Sequence, residues 1–264
     1  MESNIYDFIR KQEVSYQKPV QLESGWNWSM KEHLRLSYLY KHSQFAEENE
    51  NRDLRPNKNI IRPILNIQYR TEGFDVKDIE LYINDSEIYY KSFLVRKYHE
   101  QWALENSIDT FIDEVVESYV DYGGILARNA DESRPEVIDL RSLAFCNQTD
   151  ILAYPFAIKH KFSPAKLRTM DKWGKPEYGA TINIESLIVL CKDEKEIEVY
   201  EVHGVLPGQW LGKEEKDVQQ IQVVAFYKKQ DGDEQGVALF KHKEPKLPFK
   251  FLARDKISMR ALGW

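Results

Sequence analysis

Two consecutive glycines, Gly123 and Gly124, separate two incompatible hydrophobic periodicities. Upstream, over residues 86–122, Leu94, Tyr98, Trp102, Ile108, Ile112, Val115 and Tyr119 recur at steps that fit one face of a helix. Downstream, from residue 196, Ile197, Val199, Glu201 and His203 alternate as a strand does, followed by Val223, Ala225 and Tyr227. A pattern of period 3.6 cannot be laid on a sheet, nor one of period 2 on a helix. The glycines are where a helix of this kind stops. The chain therefore reads as α+β: a helical half over 1–124 and a β-rich half over 125–264, with no βαβ alternation.

The helical half divides further. Ile5, Phe8 and Ile9 follow Ser3, a residue suited to an N-cap. Ser29 precedes a second stripe of Met30, Leu34, Leu36, Tyr38, Leu39 and Phe45. A charged, Asn-rich connector runs through 47–58 and contains Pro56, so it reads as a loop. Residues 57–65 have helical spacing, with Pro63 either kinking the helix or sitting in its first turn. Alternation from Ile79 to Ile83 predicts a strand over 74–84, and 86–122 is predicted as one long amphipathic helix. On it, Glu105, Asp109, Asp113 and Glu117 form an acidic row at four-residue steps, a repulsive arrangement.

In the β-rich half, residues 125–128 and 137–140 flank a polar stretch, 129–135, and predict a hairpin. Ser163-Pro164 predicts the start of a short helix, with Ser as cap and Pro in the first turn. Asp231-Gly232 and Gly236 predict turns between strands. Phe249 to Leu252, after Pro248, reads as a last strand.

Composition narrows the partners. Lys and Arg number 37 against 43 Asp and Glu, a net charge of −6 that argues against coating nucleic acid by bulk charge. Basic residues do gather locally, at Lys31, His33, Arg35, Lys41, Arg52, Arg55, Lys58, Arg62 and Arg70. Acidic neighbours at 47–53 make this a solvated face. Two cysteines, Cys146 and Cys191, exclude a disulfide scaffold and a four-thiolate zinc site. The longest strictly apolar run, Leu187 to Cys191, is far short of the roughly 20 residues a membrane span needs. The N-terminus lacks the basic and apolar regions of a secretory signal. These features predict a soluble protein made in a reducing cytoplasm. Gly263-Trp264, directly after an apolar run, predicts either that a longer chain continues beyond this point or that Trp264 docks in the core.

Signatures of chemistry are sparse. There is no glycine-rich phosphate loop, no nucleophile elbow, no His-Glu-x-x-His and no Cys-x-x-Cys. The six histidines are scattered, although His160, His203 and a cysteine could meet in space. The six tryptophans, including Trp26, Trp28 and Trp210, form no base-stacking motif and suit core or interface anchors. One acid pair, Glu136 and Asp139, with Lys159 some twenty residues on, offers a metal-dependent nuclease as an alternative. The pair is three apart, which on a strand points the two carboxylates to opposite faces. Solvated strand-end charges are the favoured reading. A cytoplasmic α+β interaction module of unspecified partner is the other alternative.

The order of segments nevertheless resembles a known family. Asn57-Lys58-Asn59-Ile60-Ile61-Arg62-Pro63-Ile64, a long amphipathic helix, and the corner Asp121-Tyr122-Gly123-Gly124-Ile125-Leu126 are similar to the N-terminal part of tailed-bacteriophage portal proteins. So are Pro135 to Leu140, Tyr154 to His160, Phe162 to Leu167, Val199 to Pro207 and Leu247 to Phe251, in that order. The resemblance covers most of the chain and rests on order and short degenerate patterns. It implies a single portal wing region over 1–264, with the stem, clip and crown lying beyond it. It implies a structural protein rather than an enzyme, with no catalytic residues, cofactor or metal. The family forms homo-oligomeric rings, typically dodecameric, at one vertex of the virion, assembled in the host cytoplasm. Implied partners are the major capsid protein, the terminase, a head-tail adaptor and transiently bound, non-specific double-stranded DNA, with no membrane. A weakly acidic chain suits a channel through which DNA slides, and abundant Tyr and Trp suit lateral ring contacts.

Overall fold

A computed structural model describes residues 4–22, 25–42, 61–129, 134–191, 195–212, 216–228, 232 and 234–254. In chain order, α1 (Ile5–Tyr16) is followed by a two-stranded ribbon of β1 (Val20–Gln21) and β2 (Asn27–Trp28). Then come α2 (Met30–Lys41), α3 (Ile61–Glu72), α4 (Ser92–Glu105) and α5 (Ile108–Tyr122). Strands β3 (Gly124–Arg128), β4 (Glu136–Ile138), β5 (Leu143–Phe145) and β6 (Phe156–Phe162) follow. Two short helices, α6 (Pro164–Arg168) and α7 (Ile184–Leu190), precede β7 (Ile197–Leu206), β8 (Val218–Lys228), β9 (Glu234–Lys243) and β10 (Phe249–Ala253). The α+β class expected from the two periodicities is the class observed.

The chain forms two compact units that interleave in sequence. The first takes residues 1–31 and 141–247, the second 32–140 and 248–264. The boundary near residue 124 separates helix-rich from strand-rich sequence, whereas each compact unit draws on both halves.

The first unit is built on an antiparallel sheet in the order β5-β6-β7-β8-β9. One face packs against α6 and α7 through Leu167, Leu187, Ile197, Val199, Val223, Ala225 and Leu239, all buried. On α1, the Tyr6 and Phe8 rings meet Phe226, Phe145 and Trp210 edge-on or tilted. Arg10 of α1 donates to the Tyr200 hydroxyl at 3.0 Å and lies 3.9 Å over the Phe226 ring. Ser163 caps α6 and Pro164 opens it, as expected.

The second unit contains the sheet β10-β3-β4 with α3, α4 and α5. The hairpin expected from residues 125–140 is present, with Leu126 opposite Ile138 and Arg128 opposite Glu136. The strand expected at 249–252 pairs with β3. Gly123 ends α5 at φ +71°, the left-handed conformation that favours glycine. Pro63 sits in the first turn of α3.

Four expectations are corrected. Residues 74–84 form no strand. Asp75 accepts from the Lys77 amide while Asp78 accepts from the Asp75 amide, and this reciprocal cap nucleates a 3-10 turn at Val76–Asp78. The single helix expected over 86–122 is two, broken where Ser107 adopts φ +52°, ψ +46°. Gly236 lies within β9 rather than in a turn. A Cβ there would stand 2.3 Å from the Tyr6 ring, so glycine serves close packing. The cap expected at Ser3 is Asn4 instead: α1 begins at Ile5, and the Asn4 side chain accepts from the Asp7 amide at 2.9 Å. The loop expected at 47–58, together with Phe45 and Trp264, lies outside the described residues.

Candidate functional site

The most prominent feature of the second unit is apolar surface left open to solvent. On α4, Leu94, Tyr98 and Trp102 stand one turn apart on one face and are 63%, 75% and 41% exposed. Phe93 and Leu104 are also exposed, and only Ser92 and Ala103 of this helix are buried. The segment leading into α4 adds Tyr82, Ile88, Tyr89 and Tyr90, and α3 adds Ile64 and Ile67. By contrast, α5 buries Ile108 and Ile112 against Ala103, Val76 and Val116. The stripe that reads as continuous from Leu94 to Tyr119 thus splits at Ser107. Its C-terminal part is core and its N-terminal part is surface. Leu94, Tyr98 and Trp102, successive along one helix face, make an exposed apolar strip of the kind that marks an interaction site.

A polar anchor joins α2, α3 and α5. Asp121, whose side chain is 4% exposed, accepts from both the Lys41 ammonium and the Tyr69 hydroxyl. Lys41 also pairs with Glu117 at 2.8 Å, which relieves the acidic row on α5. Burial alone would lower the Lys41 pKa, but Asp121 and Glu117 outweigh it and hold the ammonium charged. Burial and the Asp121 carboxylate push the Tyr69 hydroxyl up to about 12. Lys41, Arg62, Asn66, Tyr69, Asp113 and Glu117 line an open cleft of about 400 Å³. Its lining mixes both charges and favours no one ligand.

The residues weighed for nuclease chemistry are engaged elsewhere. Glu136 on β4 pairs with Arg128 across the β3–β4 ladder, and Asp139 follows β4 in the same unit. Lys159 belongs to β6 of the first unit, where it pairs with Glu198 at 2.7 Å and lies 5.3 Å from the Tyr200 ring centroid. Among the described residues, no group of three or more His, Cys, Asp or Glu is arranged to hold a metal ion. No described helix is long and apolar enough to cross a membrane.

The structure does bring His160 and His203 together, through a residue that sequence reasoning passed over. Glu201 lies 3.0 Å from each ring, with Oε2 toward His160 Nε2 and Oε1 toward His203 Nε2. A signal existed: Glu201 and His203, two apart on an alternating strand, must share a face. Glu244, which closes on the other side of His203, is 41 residues away and carries no such signal. No family model matches this chain, and no curated protein aligns with it significantly.

Proposed function

We propose that this chain is the wing region of a tailed-phage portal protein, a structural component of a homo-oligomeric ring at one vertex of the virion. The reading has DNA pass through the ring without chemistry, and has capsid protein, terminase and a head-tail adaptor as partners. The order of segments around Gly123-Gly124 supports it. The observation that carries it is the exposed apolar face of α4 with the aromatic segment before it. A ring subunit must keep such surface for its neighbour, and burying the part of each large side chain still exposed there contributes at most about 1.5–3 kcal/mol. No specific observation favours the nuclease reading.

Electron microscopy of the full-length protein tests the proposal. Closed rings with a central channel are expected. The triple variant Leu94→Lys, Tyr98→Lys, Trp102→Lys should retain its circular dichroism spectrum and melting temperature but give single subunits. Monodisperse monomers of the native protein at every concentration would overturn the reading. So would divalent-metal-dependent DNA cleavage lost in both Glu136→Ala and Asp139→Ala.

A further inference from the structure

The sheet face that α6 and α7 cover is apolar at one end and ionic at the other. Along β7, Ile197 and Val199 are fully buried and apolar, and the next two side chains on that face are Glu201 and His203. They are scarcely more exposed, at 8% and 1% of their side-chain surface. His203 stacks on Phe156 with ring centroids 5.7 Å apart, which fixes its plane. In that plane Nε2 lies 3.0 Å from Glu201 Oε1, and Nδ1 lies 3.2 Å from both oxygens of Glu244.

Neutral imidazole carries one N–H, so it can donate to only one of two carboxylates. The other ring nitrogen would then turn a lone pair toward a carboxylate in a site with little water. Only the imidazolium donates in both directions. We propose that His203 is a buried cationic latch, fastening the segment that leaves β9, through Glu244, to β7, and that the latch opens as pH rises.

The surrounding groups fit this role. His160, from β6, meets the second oxygen of Glu201 and is itself partly exposed. From β8, Ile221 stands opposite His203, and Gln219 donates to Glu244 Oε2 at 3.3 Å. From β9, His242 stands opposite Ile221, so it lies one strand further along the same row. The Glu244 amide donates to the Gln219 carbonyl at 2.9 Å, prolonging the β8–β9 ladder by one residue past Lys243. Burial alone would lower the His203 pKa, yet the Glu201 and Glu244 carboxylates more than offset it and raise it. A folded-state value above the unfolded one, about 6.5, means that the latch stabilises fully below that pH. Its contribution is lost as pH rises through the folded-state value. This inference does not depend on the portal reading.

Side-chain nitrogen NMR of the full chain, followed from pH 5.5 to 10, tests it. Both His203 nitrogens should still carry protons at about pH 6.5, with a midpoint above that of free imidazole. Exchange protection of the Glu244 amide, corrected for base catalysis, should fall through the same midpoint. Glu244→Gln keeps an acceptor but removes the charge, and should lower the midpoint. A midpoint at or below that of free imidazole, Glu244 protection that does not change with pH, or a midpoint unmoved in Glu244→Gln would each overturn the latch.

Discussion

Gln148 shows how much of the first unit can depend on one side chain. Its Oε1 accepts from the Met30 amide at 3.0 Å, and its Nε2 donates to the carbonyls of Lys18 and Tyr16. Its own carbonyl accepts from the Trp28 indole. One buried amide thus joins the end of α1, the β1–β2 ribbon and the start of α2. Gln148→Leu removes the partner of the buried Met30 amide and Tyr16 carbonyl and should cost about 2 kcal/mol, read as a lowered urea midpoint at unchanged slope. Gly204 is constrained differently: at φ +141° a Cβ would stand 2.7 Å from Pro155 Cα. Gly204→Ala should destabilise by about 1–3 kcal/mol in the same measurement. In the second unit, Lys41→Met strands the Asp121 carboxylate and should cost about 2 kcal/mol or more. Adding Asp121→Asn should recover part of that loss, and a double-mutant cycle by thermal denaturation measures the coupling. None of these roles was legible in the sequence. A glutamine, a glycine and a lysine gain such importance from residues far away in the chain, which no local pattern records.

At the scale of elements, periodicity was legible where it had a partner and misled where it had none. Among the described residues no strand pairs with the alternation from Ile79 to Ile83, and the local Asp75–Asp78 cap prevails instead. Helix α7 escaped notice because Leu187 to Cys191 is apolar without a period, although Asn183 caps it by accepting from the Ser186 amide. The break between α4 and α5 is hidden because apolar residues continue on either side of it. Asn106 turns its side-chain amide back to the Trp102 carbonyl, and Ser107 takes the left-handed conformation. Ser107→Val puts a β-branched residue there and should lower stability by about 1–2 kcal/mol, visible as a reduced melting temperature. The candidate surface was half legible: Leu94, Tyr98 and Trp102 were expected on a common helix face. Whether that face is core or surface is decided by what packs against it, and sequence spacing carries no such information.

For the whole molecule, the division into a helical and a β-rich half was legible, whereas the grouping into compact units was not. Residues 1–31 join the five-stranded sheet from the far end of the chain, and β10 returns to pair with β3. Both are long-range pairings that leave no trace in a local pattern. Cutting the chain at residue 140 therefore divides both units. The separate fragments 1–140 and 141–264 should show no cooperative thermal transition, while the intact chain should show at least one, by differential scanning calorimetry. The chain passes from one unit to the other after residues 31, 140 and 247. Wherever two parental genes are spliced at a single point inside the region encoding this chain, at least one unit becomes a hybrid of both parents. Its strands or its helix–sheet contacts must then match across lineages. Such a chain should tolerate piecemeal exchange poorly.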